Sequence, residues 1–287
     1  MGLRANPTYR QRRFGAEVRK LRERAGLSVN ESAAVMGMNQ SHISSVETGR
    51  TGLSEERLRK LAAKVGGISA TYVDALAELG RRPDKGWWSS YRDQVRPSLL
   101  DLAELEDEAA ALVCYEPMFV PGLIQTRDYA TAIHRGGYVN VSPEVEEAAV
   151  DFRMKRQAVL TGEGAPSFHA IIHEAALHPS LGDRRVMRDQ LGHLLELARL
   201  PNATIQILPF DGPVAFGSSF TLVEPSVREL STVVVAHVES SLYLGDAESL
   251  AKYSHTFARL TETALPPEAS HVKDSLGLIQ RLLYPLL

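Results

Sequence analysis

Apolar positions in the first eighty residues recur at helical spacing and are broken by glycine or a capping residue at short intervals. Phe14, Val18, Leu21 and Ala25 make one helical face, and Gly26 ends it. Ser28-Val29-Asn30-Glu31 then has the Ser-x-x-Glu form of a capping box, in which a hydroxyl and a carboxylate satisfy two amides at a helix start. A second helix is therefore expected over residues 28–36, closed by Gly37, which can take a positive φ at a sharp turn. A third follows over 39–48 with Ile43 and Val46 inward and Gly49 at its end. Leu58, Leu61, Ala62 and Val65 predict a fourth helix from Ser54, and Val73, Leu76 and Leu79 a fifth over 71–79. The pattern is that of a compact all-α module of five short helices.

Beyond Trp87 and Trp88 the period changes. Apolar runs with strand character fall at 111–115, 168–173, 203–208, 219–223 and 232–238, separated by Pro, Gly and Asp. Helical patterns lie between and after them, at 127–135, 143–160, 183–200 and 246–260. The expected fold class is α+β or mixed: an N-terminal five-helix domain followed by an α/β domain with a mixed sheet.

Charge divides the chain in the same place. Residues 1–82 carry a net +7 and residues 83–287 a net −10, within a total of −3. A basic module suits a phosphate backbone, whereas the acidic remainder is repelled by it and is better placed against another partner. The polar stretch 81–86, with its Pro and Gly, is the natural boundary. The expected organisation is a basic arm at 1–13, which holds Arg4, Arg10, Arg12 and Arg13, then a helical domain at 14–82 and an α/β domain at 83–287. A single cysteine, Cys114, in an apolar run excludes an internal disulfide and a cysteine metal cluster. With no signal-like start and no apolar run of about 20 residues, a cytoplasmic location is expected.

The chemistry concentrates in the third helix. Gly37, the polar start Asn39-Gln40-Ser41-His42, the anchors Ile43 and Val46, and Gly49 form the second half of a helix-turn-helix, whose N-terminal residues meet base edges in the major groove. The candidate DNA-binding residues are Arg13, Ser28, Asn39, Gln40, Ser41, His42, Ser44, Ser45 and Arg50. On Leu27-Ser28, the spacing of Ala33 and Gly37, Ser44 before Val46-Glu47 and Gly49, and the leucines of the fourth helix, the segment resembles the Cro/lambda-repressor-like, or XRE-type, domain. Two positions depart from that pattern. Val29 and Ser45 stand where such domains usually carry Gln and Arg, which shifts expected affinity toward the arm, Arg50 and a second copy of the domain.

Fragments in the second domain imitate catalytic motifs and fail on spacing. His173-Glu174-Ala175-Ala176-Leu177-His178 places its second histidine at i+5 rather than i+4, so the zinc-helix pattern is not met. The carboxylates Glu104, Glu106, Asp107 and Glu108 read as a solvated helix face. No metal, cofactor or catalytic residue is expected. Leu105-Glu106, Tyr115-Glu116-Pro117, Val120-Pro121-Gly122-Leu123-Ile124-Gln125-Thr126, Asp128-Tyr129-Ala130, Arg153, Arg156-Gln157, His173–Leu177, Gln190-Leu191 and Leu208-Pro209 are together similar to the C-terminal domain of unknown function in a large family of actinobacterial helix-turn-helix regulators. That resemblance implies an antitoxin-like or developmental regulator, often encoded beside a very small partner protein, and it supplies no catalytic residues.

Val120, Pro121, Gly122, Gln125 and Thr126 are candidate partner or ligand contacts, with a fold-defining corner as the equal alternative. The expected function is sequence-specific, double-stranded DNA-binding transcriptional regulation by a non-membrane homodimer that senses a small partner protein or ligand. The alternative is a hydrolase-like α/β enzyme coupled to the DNA-binding module, motivated by His169, His173 and His178 lying close together in the chain.

Overall fold

The computed structural model describes residues 5–81, 86–136, 142–178, 182–212, 217–237, 241–267 and 273–287. Two compact units emerge: Met1–Trp87 together with Val227–Leu230, and Trp88–Ser226 together with Ser231–Leu287.

In the first unit, α1 (Tyr9–Arg24), α2 (Val29–Met36), α3 (Gln40–Glu47), α4 (Glu55–Ala62) and α5 (Ala70–Gly80) surround one apolar core. Phe14, Val18, Leu21, Ile43, Val46, Leu58, Leu61 and Leu76 are buried in it, and Leu230 joins them. The helix starts are chemical. Ser28 accepts from Glu31 N at 3.2 Å, and the Glu31 carboxylate accepts from Ser28 N at 2.8 Å, so both halves of the capping box form. Gly37 takes φ +62° at the end of α2, as the turn requires.

The start of α1 corrects the expected arm. The helix begins at Tyr9 behind a second capping box, Thr8 with Gln11, so Arg10, Arg12 and Arg13 are helical rather than flexible. Arg10 is buried and donates to the carbonyls of Leu79 and Glu78 at 3.0 and 2.7 Å, capping the carboxyl end of α5 where the helix dipole favours a cation. Residues 1–4 of the expected arm, and most of the expected boundary stretch, lie outside the described residues.

The second unit is built on a six-stranded sheet in the order β3-β2-β1-β4-β5-β6. Here β1 is Ala111–Glu116, β2 Ser167–His173, β3 Ala203–Leu208, β4 Phe220–Glu224, β5 Thr232–Val235 and β6 Leu242–Leu244. The first three are parallel and the last three antiparallel, which confirms a mixed sheet. Around it lie α6 (Pro97–Asp107), α7 (Arg127–Arg135), α8 (Pro143–Arg156), α9 (Arg184–Leu197), α10 (Ala247–Thr263) and α11 (Ser275–Leu283).

Side chains alternate across each strand. Leu112, Cys114, Phe168, Ala170, Ile172, Ile205 and Ile207 share one core with Tyr129 of α7, Leu191 and Leu194 of α9, and Leu278 and Ile279 of α11. Tyr115, Ile171, Leu208, Phe220 and Val233 pack on the opposite face with Phe257 and Leu260 of α10. Burial raises the Cys114 thiol well above its ordinary range, which keeps it protonated and inert.

One expectation in this unit is overturned. Glu104 and Glu106 are buried rather than solvated, and Glu106 accepts a bidentate pair from Arg156 at 2.8 and 2.6 Å. The strand expected over 168–173 is present, with His173 at its end, and Glu174–Leu177 follows as a 3-10 turn.

Candidate functional site

The third helix presents its first turn as a helix-turn-helix reader does. Asn39 is the N-cap, and its side-chain oxygen accepts from His42 N at 2.8 Å and from the Ser41 hydroxyl at 2.9 Å. That oxygen is committed to shaping the helix start, leaving the amide NH2 of Asn39 for any contact outside. Gln40, Ser41 and Ser44 are exposed and fall at i, i+1 and i+4, on one face. His42 and Ser45 are half-buried at its flank, and Ser45 donates back to Ser41 O at 2.9 Å. Ile43 and Val46, both fully buried, fasten the other face to the core.

Close packing and a charge clamp fix α3 against α1. A Cβ on Gly15 would stand 2.4 Å from the Val46 carbonyl oxygen and 2.7 Å from that of Glu47, so α1 touches the backbone at the end of α3. Gly49, at φ +75°, closes α3, and a Cβ there would meet the Gln11 carbonyl at 2.8 Å. Arg22 grips Glu47 through two bonds, Nε to Oε1 at 2.6 Å and Nη2 to Oε2 at 3.0 Å, and the Glu47 carboxylate holds the guanidinium above its ordinary pKa. Bidentate geometry of this kind fixes orientation as well as adding energy. Deeper in the unit, the Tyr72 hydroxyl donates to Glu17 at 2.5 Å, and burial raises its pKa first, the carboxylate second.

The remaining candidate DNA contacts divide. Ser28 is exposed at the start of α2, with its hydroxyl oxygen engaged in the cap. Arg50 is exposed just beyond α3, and no carboxylate pairs with it among the described residues. Arg13 is the exception. It is buried, pairs with Glu17 at 3.1 Å and donates to Glu229 O at 2.9 Å, so it serves the interior of the first unit rather than a phosphate.

In the second unit, the corner Val120–Thr126 is tied into the interior, with Gly122 and Thr126 half-buried. Val120, Pro121 and Gln125 are buried rather than surface-lying. Gln125 donates to Val120 O at 2.6 Å and accepts from Arg153 at 2.6 Å. Gln157 holds the carbonyls of Gly122 and Gln125, at 3.1 and 2.7 Å. Gln190 receives Thr126 N at 2.7 Å and donates to Ile124 O at 2.8 Å. Thr126 caps α7 by accepting from Tyr129 N, and the Tyr129 hydroxyl accepts from Val120 N at 3.2 Å. Gln157, just past α8, and Gln190 of α9 thus satisfy the carbonyls of Gly122, Ile124 and Gln125 and the Thr126 amide, backbone groups that would be costly to bury unpaired.

Two charged residues missed as candidates stand beside the corner. Glu116 ends β1 on the face that also carries Leu112 and Cys114, and burial pushes its carboxyl up to about 8 against the opposing charge of Arg153. Arg153 is lowered by burial first and Arg156 second, to about 10, and remains charged at neutral pH. Alternation along β1 places Glu116 on the helix-covered face; Arg153 had no signal beyond its mid-helix position.

His173 and His178 both pack on the Phe210 ring, with centroids 5.4 and 5.3 Å away, while His169 packs edge-on against Phe257. His169 meets Gln206 at 2.7 Å, His173 accepts from Ala175 N, and His178 meets Glu174 at 3.3 Å. Among the described residues, no group of three or more His, Cys, Asp or Glu side chains is placed to hold a metal, and no helix is long and apolar enough to cross a membrane.

A helix-turn-helix domain family matches residues 13–82, which span most of α1 and all of α2 to α5. No curated protein matches the chain. Residues 99–273, more than half of the chain, match a domain of unknown function, DUF5753. The chain therefore belongs to the DUF5753 family and carries, ahead of that domain, a helix-turn-helix module of the DNA-binding type.

Proposed function

We propose that this protein is a sequence-specific transcriptional regulator of the XRE type, antitoxin-like in organisation and acting as a homodimer in the cytoplasm. Its second domain would receive a small partner protein or ligand that controls DNA binding. The observation that carries the reading is the exposed Gln40, Ser41 and Ser44 face on a helix clamped at Gly15, Gly49 and Glu47. Rigid support under a polar reading face is what base recognition in the major groove requires.

We assign no catalytic step to the α/β domain: His169 pairs with Gln206, and His173 and His178 pack on the Phe210 ring. Footprinting of the purified protein across its own promoter region tests the proposal. A protected, two-fold related site that is lost on changing Gln40 and Ser41 to Ala supports it; weak, even coverage indifferent to those changes overturns it.

A further inference from the structure

Residues 225–231 join β4 to β5, a longer connection than the about two to five residues an antiparallel hairpin needs. The added length has a use. Although Val227–Leu230 lies in sequence between two strands of the second unit, it belongs by packing to the first. Leu230 is buried among the apolar side chains of the five helices, and Val227 packs against the same core. A 3-10 turn over Arg228–Leu230 shapes the segment, with Leu230 N donating to Val227 O at 2.9 Å. The helix-turn-helix core is therefore completed by a side chain from outside residues 1–87.

A polar tie accompanies the apolar one. Arg13 Nη2 donates to the main-chain carbonyl of Glu229 at 2.9 Å and pairs with Glu17 at 3.1 Å, while Glu17 in turn receives the Tyr72 hydroxyl of α5. Arg13 and Glu17 are both buried, where breaking such bonds is costly. They flank Gly15, the residue of α1 whose backbone lies against the Val46 and Glu47 carbonyls of α3. One stretch of α1 thus holds the segment and seats the reading helix. The other end of the segment has equally little slack. Only Ser231 separates Leu230 from Thr232, where β5 begins, and both Ser231 and Thr232 are buried. Two residues of chain span at most about 7 Å, so a displacement of β5 is passed on to Leu230.

We propose that Leu230 and the Glu229 carbonyl are positioning groups for α3, and that Val227–Leu230 is the coupling element through which a change in the sheet of the α/β domain alters operator affinity. The inference rests on the reading of α3 as a base reader and of the α/β domain as the receiver of a signal, and it supplies the regulatory connection. Reciprocity follows: if the segment biases operator affinity, operator binding biases the segment to the same extent.

Hydrogen exchange and DNA affinity of the full-length protein test this with operator DNA itself as the probe. Operator duplex should slow amide exchange over residues 227–235 as well as in α3, and a scrambled duplex at the same salt should not slow it at 227–235. Leu230→Ala changes no DNA-facing residue, yet it should speed exchange in α1 and lower operator affinity at least ~5-fold. Exchange in β1, β2 and β3 and affinity for the scrambled duplex should stay as in the wild type, and Leu230→Met, which nearly conserves volume, should restore both losses. Operator binding that leaves 227–235 untouched, full operator affinity in Leu230→Ala, or no recovery in Leu230→Met would each overturn the coupling. Faster exchange in β1, β2 and β3 would place Leu230 in the second unit's fold instead and overturn it as well. A wild type with no preference for the operator sinks the base-reading claim, whereas exchange in α1 of Leu230→Ala, measured without DNA, separately decides whether the segment completes the first unit.

Discussion

At the scale of single residues, the contrast between Gln40 and Arg50 separates reading from holding. Gln40 can meet a base edge with both amide atoms, and a good bidentate contact of this sort discriminates by about 1–3 kcal/mol. Gln40→Ala should therefore lower affinity for the operator by that amount and leave affinity for unrelated DNA nearly unchanged. Arg50 lies exposed beyond α3 with no carboxylate pairing it. Arg50→Ala should weaken binding to all sequences alike and reduce the slope of log K against log salt by about 1. A salt titration of both variants on specific and scrambled duplexes distinguishes the two roles.

Glu116 makes a prediction of a different kind. Its carboxyl is raised from the ordinary range near 4.5 up to about 8, so the folded state holds the proton where the unfolded chain has released it. Stability from this group is thus full below the unfolded pKa and falls as pH rises toward 8. Glu116→Gln removes that slope. Chemical denaturation at pH 5 and at pH 8.5 should show the variant gaining on the wild type at the higher pH; parallel behaviour at both would contradict the burial argument.

At the scale of elements, the position of α3 depends on small contacts. Gly15→Ala forces a Cβ into the Val46 and Glu47 carbonyls, which are backbone and cannot rotate away. A cost of about 1–3 kcal/mol follows from overpacking of this kind, and operator binding should fall even though no DNA-facing residue changes. The Glu106–Arg156 pair ties α6 to α8 from inside the second unit. Removing one partner of a buried pair leaves the other charge uncompensated, so Glu106→Ala should destabilise by about 3–5 kcal/mol, measured by equilibrium unfolding.

Elements were legible in the sequence where local chemistry decides them. The Ser28–Glu31 box, Gly37 and Gly49 announce their turns without help from the rest of the fold, and α7 lies where its pattern places it, at Arg127–Arg135. The start of α1 was misread because four arginines among few apolar residues suggest a tail. The Thr8–Gln11 box carried the correcting signal. Burial of Arg10 and Arg13 depends on acceptors 69 and 216 residues away in sequence, which no local pattern shows. The same holds for Gln125, whose polar side chain is buried because a buried corner needs it. The strand β6 has three residues, too few for alternation to show.

At the scale of the whole molecule, the charge split of +7 for residues 1–82 and −10 beyond them assigns attraction to DNA to the first unit alone. With Val29 and Ser45 offering no long polar side chain, one helix-turn-helix unit has a small reading surface, and two copies would supply a larger one. Dimeric helix-turn-helix proteins meet half-sites one helical turn apart, roughly 34 Å. Light scattering of the complex should give two chains per duplex, and inserting five base pairs between half-sites should abolish the tight mode by turning one half-site to the opposite side of the helix.

The central claim is that α3 reads base sequence. Its most direct test is the affinity of wild-type protein and of a Gln40→Ala, Ser41→Ala double variant for the footprinted operator and for a scrambled duplex at one salt concentration. The account predicts a wild-type preference for the operator of at least ~10³-fold, most of it lost in the double variant with scrambled-duplex affinity unchanged. Equal affinity of the wild type for both duplexes, or a preference that survives the double substitution, would contradict it.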